Sequence, residues 1–368
     1  MTTMTAEAPT AEPTTADIDE ARVHEFVGKV LTDTSGLTTT VLASIGDRLG
    51  FWKDLARNGP ATSTELAHRT GTSERYVREW LGGMVAAGYL EYDRSRGRFT
   101  LPPEHAPALA DEGGPVFFGG MHQMLRGMTT VYDQLLDVFE TGGGVPQSAY
   151  HDDIWDGLER FTAGWFNNLL VQEWIPAMPD VRTALARGAD VADIGSGRGR
   201  GLIKLAETYP TSRYVGFDVF RPAVAQATEN AKEARVADRV RFEHVDASKG
   251  IPGEYDVIFT FDVIHDAADP LGLLREIRAA LKPNGTYVCL DINCSDELEE
   301  NVGPLGAAFH GCSVMYCMTT SLANGGIGLG TMGLHPAKLD ELATEAGFSS
   351  IRQLSLENPF NNVYELKP

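Results

Sequence analysis

Residues 261–270 read FDVIHDAADP, an apolar run that ends in a histidine flanked by carboxylates. An imidazole with an unperturbed pKa near 6.5 can take a proton at neutral pH, and a placed general base contributes roughly 10²–10⁴-fold to a rate. His265, with Asp266 beside it, is therefore the candidate catalytic pair, and a residue that merely packs its loop is the alternative. A second cluster stands upstream, VADIGSGRGRG at 191–201. Its glycines do not satisfy the dinucleotide spacing GxGxxG, and the GK[ST] of a phosphate-binding P-loop is absent. What remains is Asp-x-Gly-x-Gly-x-Gly, from Asp193 through Gly195, Ser196 and Gly197 to Gly199. Glycines let a backbone approach a ligand closely. A carboxylate at the end of the strand attracts an ammonium group and repels a pyrophosphate, so the ligand expected here is cationic near the glycines. Asp218 with Val219 follows about 20 residues on, then Asp246 with Ala247, then Phe261 with Asp262. Each closes an apolar run, and open parallel sheets bind ligands at the carboxyl ends of their strands.

The elements that must carry these residues alternate. Strands are expected at VADI, RYVGFDV, RVRFEHVDA, YDVIFTF and GTYVCLDI, with helices between them, which is the pattern of a parallel sheet covered on both faces. Asp269 caps one helix, Pro270 opens it, Leu273, Leu274, Ile277 and Leu281 line its buried stripe, and KPNG ends it. Another helix runs from about Pro336 to Ala346 and stops at Gly347, and SIRQLSL and NVYELKP close the chain as antiparallel strands. Residues 20–105 read as short helices followed by a hairpin. Thr62 and Glu65 form a capping box, Ser73 caps a second helix with Val77, Leu81 and Val85 on one face, and LEYDRSRGRFTL turns back on itself. Helix, turn, helix and hairpin make a winged helix.

In these residues the segment 185–367 resembles the class I S-adenosylmethionine-dependent methyltransferases. The resemblance implies an α/β fold, a Rossmann-like seven-stranded domain with its last hairpin antiparallel, preceded by a mainly helical winged-helix domain. It implies S-adenosylmethionine as cofactor, with Asp193 near the methionine amino group, Gly195, Ser196, Gly197 and Gly199 under the methionine and ribose, Asp218 and Val219 at the ribose, Asp246 and Ala247 at the adenine, and Phe261 and Asp262 closing the site. The chain is also similar to two-domain small-molecule O-methyltransferases, whose catalytic histidine lies in a His-Asp-Trp motif. Here the motif is His265-Asp266-Ala267, and the stretch GIGLGTMGLHPAKLDEL lacks, ahead of its helix, the glutamate that orients the histidine in those enzymes. The likeness to bacterial winged-helix methyltransferases extends over both domains and the insertion HGCSVMYCMTTSLANGG. That resemblance places acceptor-binding lids at the insertion, so His310, Met315, Tyr316 and Met318 are candidate acceptor contacts. The aromatic stretches before the first strand add His122, Trp165, Phe166 and Asn167, with ordinary helix core as the alternative reading.

These features divide the chain into a disordered tail over 1–18, a winged-helix dimerisation domain over 19–105, a helical acceptor-covering region over 106–184 and the catalytic domain over 185–368. The 20-residue start is rich in Thr, Ala, Pro and Glu and lacks a secretion signal. No apolar run is long enough to span a membrane. Four cysteines without framework spacing suit a reduced, cytoplasmic protein, and His310, Cys312 and Cys317 match no strong zinc pattern, so no metal is expected. The net charge of −20 opposes nucleic acid and anionic surfaces. Across 62–101 six arginines face five acids, a weak basic face for DNA. The expected function is methyl transfer to a small, partly apolar molecule by a homodimer. The alternatives are a cofactor-sensing DNA-binding regulator and an enzyme that retains the cofactor for other chemistry.

Overall fold

The computed structural model describes residues 18–368. The expected tail over 1–18 lies, apart from Ile18, outside the described residues. The chain divides into two compact units after Pro102.

The first unit opens on one long helix, α1 (Glu20–Arg48), where the sequence suggested only short ones. Its N-cap Asp19 accepts from Ala21 N and Arg22 N. Helices α2 (Phe51–Asn58), α3 (Ser63–Thr70) and α4 (Glu74–Ala86) follow, then the antiparallel hairpin β1 (Glu91–Asp93) and β2 (Arg98–Thr100). Both halves of the Thr62–Glu65 capping box are made. Ser73 holds the N-cap position of α4 but makes no side-chain cap bond. Val77 and Leu81 are buried as expected, Val85 is only half-buried, and Trp80 and Met84 complete the inward face.

The core of this unit is aromatic. Trp52 and Trp80 meet edge to face with centroids 4.7 Å apart. Their indole N–H groups donate to the carbonyls of Ala43 at 2.9 Å and Leu42 at 2.7 Å. Those bonds tie α1 to α2 and α4 through the closely packed Gly46, where an added Cβ would meet Trp80 at 2.4 Å and Trp52 Nε1 at 2.9 Å. Gly46→Ala is therefore expected to destabilise the chain despite alanine's helix preference. Overpacking costs about 1–3 kcal/mol and the propensity gain is only ~1 kcal/mol. A thermal melt no lower than that of the parent chain would refute this.

The second unit is a three-layer sandwich around a seven-stranded sheet of order β5-β4-β3-β6-β7-β9-β8. The strands are β3 (Asp190–Ile194), β4 (Arg213–Asp218), β5 (Val240–His244), β6 (Tyr255–Phe261), β7 (Leu281–Ile292), β8 (Ser350–Gln353) and β9 (Asn361–Lys367). The first five are parallel, and β9 runs antiparallel between β7 and β8. Helices α5 (Ala106–Leu109), α6 (Gly119–Thr129), α7 (Tyr132–Thr141) and α8 (Asp153–Trp165) precede the sheet, and α8 runs into a π-helical segment, Phe166–Trp174. After α9 (Pro179–Arg187), the crossovers are α10 (Arg200–Thr208), α11 (Arg221–Glu233) and α12 (Pro270–Ala279). Then come α13 (Pro304–Cys312), a second π-helical segment Ser313–Cys317, α14 (Met318–Ala323) and α15 (Pro336–Ala346).

One face of the sheet packs against α9, α10 and the first π segment, with Leu185, Leu202, Leu205 and Ile175 at its heart, and the other packs against α12 and α15 through Leu274, Ile277 and Leu339. Apolar residues on both faces of a parallel strand are what such a double covering needs. Asp269 caps α12 by accepting from Gly272 N at 2.8 Å. That helix ends at Ala279, so Leu281 and KPNG belong to β7 rather than to the helix, and the register of β7 against β6 shifts there. The 310–326 insertion is helical. Its lack of an apolar period follows from the π turn, which changes the repeat part-way along.

Candidate active site

The carboxyl ends of β5, β4, β3 and β6 stand side by side and carry the acids singled out from the sequence. Asp193 lies inside the end of β3 and is 2% exposed, and its Oδ1 is buried without a hydrogen-bond partner among the described residues. Burial, reinforced by Asp218, raises its carboxyl well above the usual range. The glycine turn that follows needs its glycines. Gly195 and Gly199 have φ of +70° and +79°, and an added Cβ would meet the Val263 side chain at 2.6 Å and the Phe242 ring at 2.3 Å. Ser196 Oγ is buried and unpartnered. Asp218, at the end of β4, accepts from Gly197 N and Phe220 N, each at 2.8 Å, so it fixes the loops on either side of it. Burial raises its pKa against the pull of those two bonds. Val219 is exposed and Ala247 is buried. Asp246 lies beyond β5 rather than in it and caps a short turn through Ser248 N and Oγ. Its carboxyl is lowered first by Lys249, whose Nζ is 2.7 Å away, and then by Ser248.

Helix α8 covers this edge. Arg198, inside the glycine turn, donates to Glu159 at 2.7 Å and Asp156 at 2.6 Å, and Trp155 stacks on Phe220 with centroids 4.8 Å apart.

The second focus begins where β6 ends. Asp262 turns the chain with φ +56°, a conformation uncommon outside glycine, and accepts from Asn361 Nδ2 at 2.6 Å. A single turn of 3₁₀ helix, Ile264–Asp266, follows, pinned by the fully buried Ile264. It holds His265, 3% exposed, with its Nδ1 donating to Asp291 Oδ1 at 2.6 Å and its Nε2 3.2 Å from Asp266. Asp291 is fully buried in β7, and its Oδ2 has no partner among the described residues. Burial by itself lowers the pKa of His265, but Asp291 and Asp266 outweigh it and hold the imidazole well above the ordinary histidine value. Asp262 is raised to about 8, by burial first and then by Asp291. Sequence reasoning missed Asp291, having looked for a glutamate in 326–342. That stretch instead straps the loop carrying His265 through its backbone, with Gly330 N donating to His265 O and Ile327 N to Ala268 O, both at 3.1 Å.

The candidate acceptor residues do not all converge. Met315 and Tyr316 belong to a cluster with Met124, Met128 and Tyr150, where Tyr316 receives Gln147 Nε2 at 3.3 Å and Tyr150 donates to Met315 O at 2.7 Å. Burial raises the Tyr316 hydroxyl's pKa. His122 is buried on α6, which packs on the same cluster. Met318 packs against Gly330. Phe166 meets Phe261 edge to face at 5.1 Å. Trp165 is core, wedged between Phe161 and Phe360. Asn167 and His310 are exposed, apart from the buried candidates.

Two family models match the chain. A winged helix-turn-helix domain of the Rv2258c-like type covers residues 37–111, and a methyltransferase domain covers residues 185–347. The chain belongs to the winged-helix, S-adenosylmethionine-dependent methyltransferases. This methyltransferase is 27% identical over 301 residues to the mitomycin biosynthesis 6-O-methyltransferase of Streptomyces lavendulae, covering 80% of this chain and 84% of that one. It is 31% identical over 104 residues to the 27-O-demethylrifamycin SV methyltransferase of Amycolatopsis mediterranei, covering 27% of this chain and 38% of the other. Among solved structures, human N-acetylserotonin methyltransferase in complex with its cofactor superposes with a TM-score of 0.69 at 18% identity, covering 96% of this chain and 99% of that one. The residues of the methyltransferase suit its cofactor: a buried carboxylate and hydroxyl without partners among the described residues border the turn, and at Gly197, with φ +52°, no heavy atom lies within 4 Å of where a Cβ would stand, so the backbone there is open to a ligand.

Proposed function

We propose that the methyltransferase moves a methyl group to a hydroxyl of a small, partly apolar molecule, with His265 as general base oriented by Asp291. The observation that carries this is the 2.6 Å bond between His265 Nδ1 and Asp291, which leaves Nε2 as the one ring nitrogen for an acceptor proton. O-methylation is supported by the 6-O-methyltransferase activity of the Streptomyces relative. The apolar character of the acceptor is supported by the methionine and aromatic cluster around Tyr316.

When bound, S-adenosylmethionine supplies an electrophilic methyl group. The chain's residues do the rest. Asp193 receives the ammonium of the methionine moiety, the turn from Gly195 to Gly199 with Ser196 lies against the methionine and ribose, and Asp218 accepts from the ribose hydroxyls beside Val219. Asp246, Ala247, Phe261 and Asp262 border the adenine and the reacting end. Arg198 and Trp155, through α8, close the site against water. Near-attack placement of the acceptor falls to Tyr316, Met315, Met318, His122 and Phe166. Incubating the protein with methyl-labelled cofactor and separate small-molecule, protein and DNA fractions tests this. Label in a small molecule supports it, and label only in DNA or in protein overturns it.

The first unit serves association in this reading. Val23, Phe26, Val27, Val30, Leu31, Leu37 and Val41 are exposed along α1, a stripe wide enough to pack on a second copy. Arg78 of α4 is bonded to Glu74, Arg75 to Glu79, and Arg98 of the wing to Glu65, pairings that reduce the free cationic face DNA would need. Sedimentation equilibrium is expected to give the mass of a homodimer, and a single-chain mass at micromolar concentration would end that part. No described helix is long and apolar enough to cross a membrane. The four cysteines are free and buried, which fits the proposed cytoplasmic setting.

A further inference from the structure

We propose that His265, Asp266 and Cys317 form a binding site for one thiophilic divalent cation of the zinc class, and that the ion occupies the nitrogen needed for proton transfer. The imidazole, carboxylate and thiol ligand atoms all lie within 4.8 Å of one another. They arrive from separate elements, two from the turn after β6 and the third from the π segment Ser313–Cys317. Asp266 Oδ1 is buried, lacks a well-formed hydrogen bond and lies 3.2 Å from His265 Nε2. Nitrogen, oxygen and sulfur donors together select zinc-type ions over magnesium or calcium, which prefer all-oxygen shells.

The support around the ligands is also that of a metal site. The Nδ1 of His265 is held by Asp291 at 2.6 Å, the outer-shell carboxylate that fixes the tautomer and orients a metal-binding imidazole. Three protein ligands leave a position open, and Asp266, whose side chain is a third exposed, marks the side an ion would enter from. Of the cysteine and histidine set noted in the sequence, His310 is exposed, and the neighbouring Cys312 is not part of the cluster.

Binding exchanges two protons for the ion: the Cys317 S–H and His265 Nε2–H bonds break, the sulfur–metal and nitrogen–metal bonds form, and both protons go to solvent. Metal binding itself does not depend on the acceptor's identity. The loss of methyl transfer on binding rests on His265 being the base.

The test titrates the full-length protein with Co2+ alone, under a non-chelating reductant and without acceptor. One ion per chain is expected, with a thiolate-to-cobalt charge-transfer band in the near ultraviolet. Cys317→Ser should lose the band and at least tenfold in affinity, and Cys312→Ser should keep both. Absence of the band in the parent protein, or its survival in Cys317→Ser, overturns the site. Addition of Zn2+ should abolish the band by displacement and suppress label transfer, and full transfer with the site occupied overturns the block. A parent protein that transfers no methyl even without metal would count against the proposed function, while the cobalt spectrum would still report on the site.

Discussion

Replacing His265 by glutamine should lower turnover by about 10²–10⁴-fold and leave S-adenosylmethionine affinity within a few-fold. The side chain lies in the turn after β6, and its orientation is set by a buried carboxylate. Because Asp291 and Asp266 raise its pKa, the resting imidazole carries a proton at neutral pH and must lose it before it can act as a base. The rate should therefore climb with pH through a midpoint above the ordinary histidine value. Asp291→Asn removes the largest charge holding that proton, so the rising limb should move to lower pH while the maximum rate falls through loss of the oriented tautomer. The other charged groups facing the imidazole are Asp262 and Asp266, with the Cys317 thiol alongside. A midpoint that stays in place in Asp291→Asn, or turnover in His265→Gln equal to the parent's, would reduce His265 to a packing residue.

Asp218→Ala should show the opposite division, weakening cofactor binding by about 10²-fold or more with a smaller effect on turnover at saturating cofactor. The carboxylate does two things at once. It accepts the N–H of Gly197 and of Phe220, and in the proposed site it also accepts from the ribose. Hydrogen bonds to a charged group contribute about 1.5–3 kcal/mol each, and losing two or three of them, with the glycine turn released, exceeds a hundredfold. Asp218→Asn, which keeps one carbonyl oxygen, should fall between the two. Calorimetry in the absence of acceptor reads this directly, and an unchanged dissociation constant for Asp218→Ala would remove the ribose assignment.

The cofactor edge was legible in the sequence because its signals are local. Asp193 and its glycines occupy seven consecutive positions, and Asp218, Asp246 and Asp262 each follow an apolar run whose end can be read directly. The chemistry beyond the cofactor depends on pairing between strands. His265 and Asp291 are 26 residues apart, and only the parallel register of β6 with β7 places one beside the other. No periodicity reports that register. The same limit applies to the acceptor side. The resemblance put Asn167 and His310 among the acceptor contacts; both are exposed, and the π turns in or next to their helices are not announced by any apolar period in the sequence. The long helix α1 was obscured by its β-branched run TTTV at 38–41, which lowers helix propensity without forbidding helix.

Asn361, the first residue of β9, bonds to Asp262 in the turn after β6, and β9 is the strand inserted between β7 and β8. The centre is therefore completed only once residue 361 is in place beside the turn after β6. A nascent or clipped polypeptide ending before residue 361 would carry every ligand of the cofactor edge and yet leave β7 an open edge and Asp262 without its amide partner. Such fragments would compete for cofactor without turning it over, and their unpaired strand would be a template for aggregation. A late strand thus governs an early turn, a dependence written into the topology of the sheet.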